Sequence, residues 1–362
     1  MQFSAASYTV AEGGANIVIT VNRSGDVSNA ASVQYGTFDG TASERTDFTT
    51  AVGTLRFAAG QTSKSFVVFI TDDNYLEGNE VFTVGLSNPQ GVSNGSQSTA
   101  SVTITDNDFA PSVLNPADEA AFFVRQHYVD FLNREPDPSG LNFWTNEITS
   151  CGSDTNCLNI KRVNVSAAYF LSTEFQHTGY LVYLLQKASF GNAPRYRAFV
   201  GNTQEISRGV IIGAPGAEEL LEANIAAFIE AWVNSPEFKS TYDGMNDTQF
   251  VNALFGNAGI NNPADRSSLM AALQGGTATR ASVLRALVED SAFQAKEFNS
   301  AFVLMQYFGY LRRDPDAAPD NNLDGYNFWL TKLNNFNGNF VNADMVKAFI
   351  TSLEYRERFG QH

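Results

Sequence analysis

"ITDDNYLEGNEVF", residues 70–82, starts and ends as a strand but carries Asp72, Asp73, Asn74, Glu77 and Glu80 in between, with no lysine or arginine. Phe66, Val68 and Ile70 alternate with other residues on its upstream side, and Phe82, Val84 and Leu86 on its downstream side. Period-two alternation of this kind marks half-buried strands. Working outward, "ANIVITVN", "GTLRF", "SKSFVVFI", "EVFTVGLS" and "ASVTIT" repeat the pattern between clusters of Gly, Asn, Asp and Ser. Residues 1–109 are therefore expected to form an all-β, immunoglobulin-like antiparallel sandwich.

Strand ends of a sandwich meet at two poles. The chain's last strand runs into "TDND", residues 105–108, so Asp106 and Asp108 can join Asp72, Asp73, Glu77 and Glu80 at one pole. Glu12 in "TVAEGG" and Asp47 in "ERTDF" lie in other turns within reach. Carboxylates held this close repel, and a cation or bulk water must compensate them. An oxygen-only donor set without His or Cys suits Ca2+, which takes 6–8 oxygen ligands, better than zinc. The residues alone leave open a solvated pole without a metal.

These stretches resemble the Calx-beta domain, the Ca2+-binding sandwich of sodium–calcium exchangers and many bacterial surface proteins. The resemblance rests on "TVAEGG", the DD-x-x-x-E-x-x-E turn and the final D-x-D, and it spans nearly all of residues 1–109. It implies calcium ligands at Glu12, Asp47, Asp72, Asp73, Glu77, Asp106 and Asp108, a further acidic position at Glu80, and a backbone carbonyl at Tyr75. Asn107 stands where the exchanger domains have a carboxylate, and Gly78 and Asn79 replace acidic residues. Fewer charges imply fewer ions or weaker binding.

Beyond a Pro-containing linker at 110–117 the period lengthens to that of helices. Ala301, Leu304, Phe308 and Leu311 mark one face, and Val346, Phe349, Ile350 and Leu353 another. Residues 118–362 read as one all-α domain of four repeat units, at about 118–178, 179–241, 242–298 and 299–362. Each unit closes on a helix ending in a serine or acidic residue and then an aromatic: Phe175, Phe238, Phe293 and Tyr355. "YVDFLNREPDPSGLNFW" in unit one matches "YFGYLRRDPDAAPDNNLDGYNFW" in unit four, with Trp144 opposite Trp329. This pattern is similar to a bacterial repeat domain of unknown function found behind secreted, haemolysin-like and adhesin-like proteins, and to phycobilisome linker domains. That resemblance implies modularity and export, and no reaction. Arg134 and Arg312 are expected to pair with nearby carboxylates or helix ends.

Unit four also contains "DNNLDG". There Asp320, Asn322 and Asp324, with the Tyr326 carbonyl, form the first half of an EF-hand-like loop. The twelfth position is Thr331 where the full pattern has Glu. The same residues can instead cap the following helix, and that reading is favoured.

Cys151 and Cys157 are the two cysteines of the chain. They enclose a short loop and are expected to form a disulfide, which points to an oxidising compartment; two free thiols are the alternative. A net charge of -15 disfavours nucleic acid and anionic membranes as partners, and no run is long and apolar enough to insert in a bilayer. Residues 1–20 show no signal peptide, as in a mature form or an excised fragment. Signature motifs of hydrolases, metalloproteases and nucleotide-binding enzymes are absent, and His127, His177 and His362 read as packing or terminal residues, so no enzyme is expected. The expectation is an extracytoplasmic, calcium-binding structural or adhesive surface protein, secreted or held at the cell surface, with other surface proteins or glycans as partners. Ca2+ would stiffen one pole of the sandwich and the inter-domain junction. The alternative is a ligand- or glycan-binding carrier that uses the aromatic-rich helical domain.

Overall fold

The computed structural model of the chain describes residues 1–109 and 114–360. Part of the expected linker, 110–113, and His362 lie outside the described residues. An N-terminal β domain is followed by a helical region. Eight strands lie in the β domain: β1 (Gln2–Phe3), β2 (Ser7–Ala11), β3 (Asn16–Asn22), β4 (Ala31–Phe38), β5 (Val52–Phe57), β6 (Ser63–Phe69), β7 (Glu80–Gln90) and β8 (Thr99–Thr105). One sheet has the order β1-β3-β6 and the other β2-β8-β7-β4-β5. Alternating side chains from both, including Ile19, Val33, Phe66, Val68, Phe82, Val84 and Val102, fill one core, while Val18 and Val67 face out.

The expected runs become strands, but β4 was not legible. Val33 shares its face with Ala31 and Tyr35, and Gln34 and Gly36 dilute the β-branched signal that marks its neighbours. Wholly antiparallel pairing also needs correction, because β2 runs parallel to β8 with Ala11 opposite Thr105. The two strands therefore end at the same pole, and the next residues in line are Glu12 and Asp106. Antiparallel pairing of β7 with β8, Glu80 opposite Ile104, brings the start of β7 to that pole as well. The acidic residues gather because the strand directions leave them no other place.

Compact packing divides the chain into two units, Met1–Leu171 with Met305–His362, and Ser172–Leu304. The first unit thus combines the β domain with the helices Ala120–Leu132, Pro138–Thr149 and Thr155–Leu171 and with the C-terminal helices. Direct contacts join the two kinds of structure within it. Arg125 donates to the Ala15 carbonyl at 3.0 Å, the Asn74 N–H donates to the Phe359 carbonyl at 3.0 Å, and Arg45 pairs with Glu354. The junction is a packed interface as well as a peptide connection.

The four serine or acidic residues expected to end helices begin them. Ser172, Ser235, Asp290 and Ser352 each accept from the N–H of the aromatic three residues on, as an N-cap does. Those aromatics, Phe175, Phe238, Phe293 and Tyr355, are all buried. A helix break before Ser352 also explains why Leu353, expected on a buried face, is 63% exposed. Cys151 and Cys157 form a disulfide. His127 is buried in the aromatic core between the Phe123 carbonyl and Ser166 Oγ, each 2.6 Å from a ring nitrogen, and burial pushes its pKa down to about 4. His177 lies in the π-helical turn Gln176–Tyr180. Among the described residues no helix is long and apolar enough to cross a membrane.

Candidate metal centre

At the acidic pole, carboxylate oxygens gather in two triads. Glu12, Asp73 and Asp108 offer atoms within 4.8 Å of one another, and so do Asp47, Asp73 and Glu77. Asp73 belongs to both and is 4% exposed. A cavity of about 10 Å³, room for roughly one water-sized particle, opens beside Glu12, Asp47, Glu77, Glu80 and Asp106.

The chain holds these groups with backbone hydrogen bonds. Glu12 Oε1 accepts from the Asp73 N–H at 3.0 Å, Asp73 Oδ1 from the Tyr75 N–H at 2.8 Å, and Asp47 Oδ2 from the Ser43 N–H at 2.6 Å. The Phe48–Ile70 bridge and the Thr71 N–H to Asp47 carbonyl bond, 2.9 Å, set the Asp47 segment beside the 72–77 turn. Asp106 is a turn holder, accepting from Glu77 and Gly78 N–H at 2.9 and 2.7 Å and from Asp108 N–H at 2.7 Å. These bonds hold its carboxyl below the ordinary value. Gly78 adopts φ +78°, the left-handed region that suits glycine, which accounts for the missing acidic residue at that position. Asn107 Nδ2 donates to Asp72 Oδ1 at 3.3 Å, so an amide caps a carboxylate that an acidic residue at 107 would repel.

Among the described residues no cationic side chain forms an ion pair with the triads, and the electrostatics follow. Burial first, then the surrounding carboxylates, push Glu12 up to about 7 and Asp73 up to about 8, against the partial relief of their N–H partners. Glu80 rises to about 8, from burial and then from Asp47, and Glu77 and Asp108 rise in the same direction. Asp108 Oδ2 is buried without a hydrogen-bond partner. An orphaned carboxylate oxygen in an all-oxygen cluster is the donor chemistry that fits Ca2+, and the water-sized space beside it is lined by Glu12, Asp47, Glu77, Glu80 and Asp106. The side chains placed to hold it are Glu12, Asp47, Asp73, Glu77 and Asp108. Of the other expected positions, Asp106 and Glu80 line the cavity but join neither triad, Asp72 meets Asn107, and Tyr75 supplies its N–H to Asp73.

The loop at 320–326 is used differently. Asp320 Oδ2 pairs with Arg313 Nη2 at 2.8 Å, and Asn322 Oδ1 accepts from the Asp324 N–H at 2.7 Å where the helix Asp324–Asn335 starts. Among the described residues, Asp320, Asn322, Asp324 and Tyr326 form no carboxylate cluster; Asp320 serves the ion pair, Asn322 closes a turn ahead of the helix, and the N-cap position, Leu323, carries no side-chain cap bond. Arg134 stacks on Tyr128 at 4.8 Å and lies 3.9 Å from Asp137. Its counterpart in the fourth unit is Arg313, stacked on Tyr307 at 5.4 Å, and not Arg312.

Comparison with known proteins finds relatives of the N-terminal part of the chain. The chain is 40% identical over 111 residues to the sodium/calcium exchanger Calx of Drosophila melanogaster, covering 30% of this chain and 12% of that one. It is 35% identical over 118 residues to the extracellular matrix organizing protein FRAS1 of Mus musculus, covering 31% and 3%. Only a small part of each curated relative is therefore spanned. The apo-form Calx CBD1 domain matches at 40% identity, covering 30% of this chain and 96% of that one with a TM-score of 0.29, and the calcium binding domain CBD12 of CALX1.1 matches at 40%, 30% and 46% with a TM-score of 0.30. Family models match in tandem: residues 1–108 are a Calx-beta domain, a family whose relatives support calcium binding, and residues 107–178 are a domain of unknown function, DUF4214.

Proposed function

We propose that this chain is a calcium-dependent structural or adhesive protein of the extracytoplasmic surface and not an enzyme. Its parts, on this reading, are an immunoglobulin-like sandwich and four related helical units. One observation carries the calcium assignment: two carboxylate triads share the buried Asp73 with an orphaned Asp108 oxygen beside them. Bound calcium would supply the positive charge that these groups lack. The protein's own contribution is to fix the carboxylates in advance, through the Asp73, Tyr75 and Ser43 N–H groups and the turn held by Asp106. The Cys151–Cys157 disulfide supports export, since such bonds persist in oxidising compartments. Four capped and buried aromatics support a repeated helical unit.

Calorimetric titration of EDTA-treated protein tests the assignment. Binding with Kd near ~10⁻⁴–10⁻³ M, as in extracellular modules, and a poor response to Mg2+ are expected. Absence of heat, with equal melting curves in calcium and in EDTA, would remove it.

A second reading, a carrier, has one observation in its favour. Within the 172–304 unit a cavity of about 770 Å³ is walled by Leu181, Leu184, Leu221, Ile225 and Val288, with glutamates at its rim. Aliphatic walls suit an apolar ligand; glycans generally stack on Phe, Tyr or Trp rings, and none of these lines this cavity among the described residues.

A further inference from the structure

Arg312 lies in the left-handed region, φ +48°, directly after the π-helical turn Gln306–Tyr310 and Leu311. At the matching position of the first unit stands Asn133, φ +52°, a residue type that tolerates this conformation. An arginine brings no advantage to the turn itself, and it is 2% exposed. Its guanidinium crosses instead into the β domain. Nε donates to Asp130 Oδ1 at 3.0 Å, Nη1 to the Phe48 carbonyl at 3.0 Å and toward Thr71 Oγ1 at 3.4 Å, and Nη2 to Thr49 Oγ1 at 2.8 Å.

Phe48 and Thr49 follow Asp47 directly, and Thr71 precedes Asp72 and Asp73. The same two segments are zipped by Thr71 N–H to the Asp47 carbonyl and Thr49 N–H to the Phe69 carbonyl, both 2.9 Å. One planar fork therefore bridges both sides of the ladder that sets Asp47 against Asp73, and its far end is anchored on Asp130. Asp130 is itself locked by Arg358 at 3.0 and 3.1 Å and by Gln126 at 2.9 Å, all from the helical side.

We infer that Arg312 is a positioning residue for the calcium centre, through which the helical part of this unit sets the ion affinity of the β domain. The inference rests on the calcium reading above. It makes the helices part of the site's preorganisation, since five oxygen donors bind well only when their spacing is fixed before the ion arrives. Coupling of this kind is reciprocal: what the helices add to calcium affinity, calcium returns as stability of the helical contacts.

The test is calcium calorimetry on the full chain for the wild type, Arg312→Met, Arg312→Lys, Thr49→Val and Val346→Ala, with hydrogen exchange of the Thr49 and Thr71 amides. Val346 is buried in the helix Met345–Ile350, so its truncation loosens the helical side without touching the fork. Arg312→Met should weaken calcium about tenfold or more and expose both amides, and Arg312→Lys should not rescue it, because one ammonium cannot span the same acceptors. Thr49→Val, which keeps its shape and leaves Arg312 in place, should weaken calcium severalfold, and it carries the test should Arg312→Met fail to fold. Val346→Ala should leave affinity within about twofold, a span well under the tenfold that 1.4 kcal/mol represents. Wild-type protein that binds no calcium overturns this inference together with the calcium reading. Wild-type binding with unchanged affinity in the Arg312 variants or in Thr49→Val overturns the inference alone, as does a loss in Val346→Ala equal to that in Arg312→Met.

Discussion

Asp73 and Asp130 are both buried carboxylates of the same compact unit, and their surroundings are opposite. Asp130 sits between Arg312 and Arg358 with Gln126 as a further donor. Burial alone would raise its pKa, but Arg358 and then Arg312 override that and leave it below the ordinary value. Asp73 has a backbone N–H and three carboxylate neighbours, and its value climbs to about 8. A charge buried with its counter-ion in the same chain is a fastening. A charge buried among its like is a site that waits for a cation from outside.

The largest expected effect comes from breaking the fastened member. Asp130→Asn leaves Arg312 and Arg358 buried without their carboxylate, and losing one partner of a buried pair costs about 3–5 kcal/mol. Denaturant unfolding of the full chain should show a loss of that size in calcium and in EDTA alike. A loss of less than about 1 kcal/mol, the range of exposed pairs, would mean that water reaches these groups and that the contrast is false.

Asp73→Asn should reverse sign with conditions. In EDTA above about pH 8, where Asp73 is charged, it removes one of several crowded charges and should raise the unfolding midpoint. In millimolar calcium it should abolish the ion's stabilisation, which for a Kd of ~10⁻⁴ M is worth about 1–3 kcal/mol. If the variant is as calcium-responsive as wild type by melting, the shared position of Asp73 in both triads has no functional meaning.

Acidity separates the two places further. Glu12 at about 7 and Asp73 at about 8 stand above the ordinary carboxylate range near 4. Raised values mean stability that is full below about pH 4 and lost as pH climbs through 7–8. EDTA-treated wild type should therefore gain stability on going from pH 8 to 6, with a shallower slope in Asp73→Asn. Asp130, being depressed, contributes in the other sense: its share is full above about pH 4 and is lost below. A flat profile between pH 6 and 8 in EDTA, read by melting, would show that the pole is solvated and needs no cation.

Legibility in the sequence followed the range of the interactions. The alternation in five runs, among them 66–70 and 82–86, and the acidic turn between those two are local patterns, and they placed five strands and brought the acidic residues to one pole. Which carboxylates face inward was not local. Asp106 and Asp72 look like Asp73 and Asp108 in the sequence, yet neither joins a triad: one accepts three backbone N–H groups and the other meets Asn107. The parallel course of β2 beside β8, which delivers Glu12, leaves no trace in residue periodicity. Arg312 was the least legible. Its match with Asn133 is visible in the aligned units, and an arginine in place of a turn asparagine was the available signal, but its acceptors at Phe48, Thr49 and Thr71 come from more than two hundred residues away.

The smallest effect tests whether the pole can be pushed further toward the open member of the pair. Asn107 is exposed and lends an amide to Asp72 Oδ1 at 3.3 Å. Asn107→Asp replaces that weak donor with a second carboxylate at almost the same place. Without an ion the change should lower the midpoint slightly, since two charges near the surface are screened by water and salt. With calcium it adds ligand charge and frees Asp72 from its amide, and ligand charge count is one of the terms that sets affinity in carboxylate sites. Calcium should then bind about threefold to tenfold tighter, up to 1.4 kcal/mol, and the calcium-induced rise in midpoint should exceed that of the wild type. Calorimetry of both proteins in the same buffer decides. Tighter binding would show that Asn107 and Asp72 line the ion's surroundings, whereas unchanged affinity would confine the centre to Glu12, Asp47, Asp73, Glu77 and Asp108.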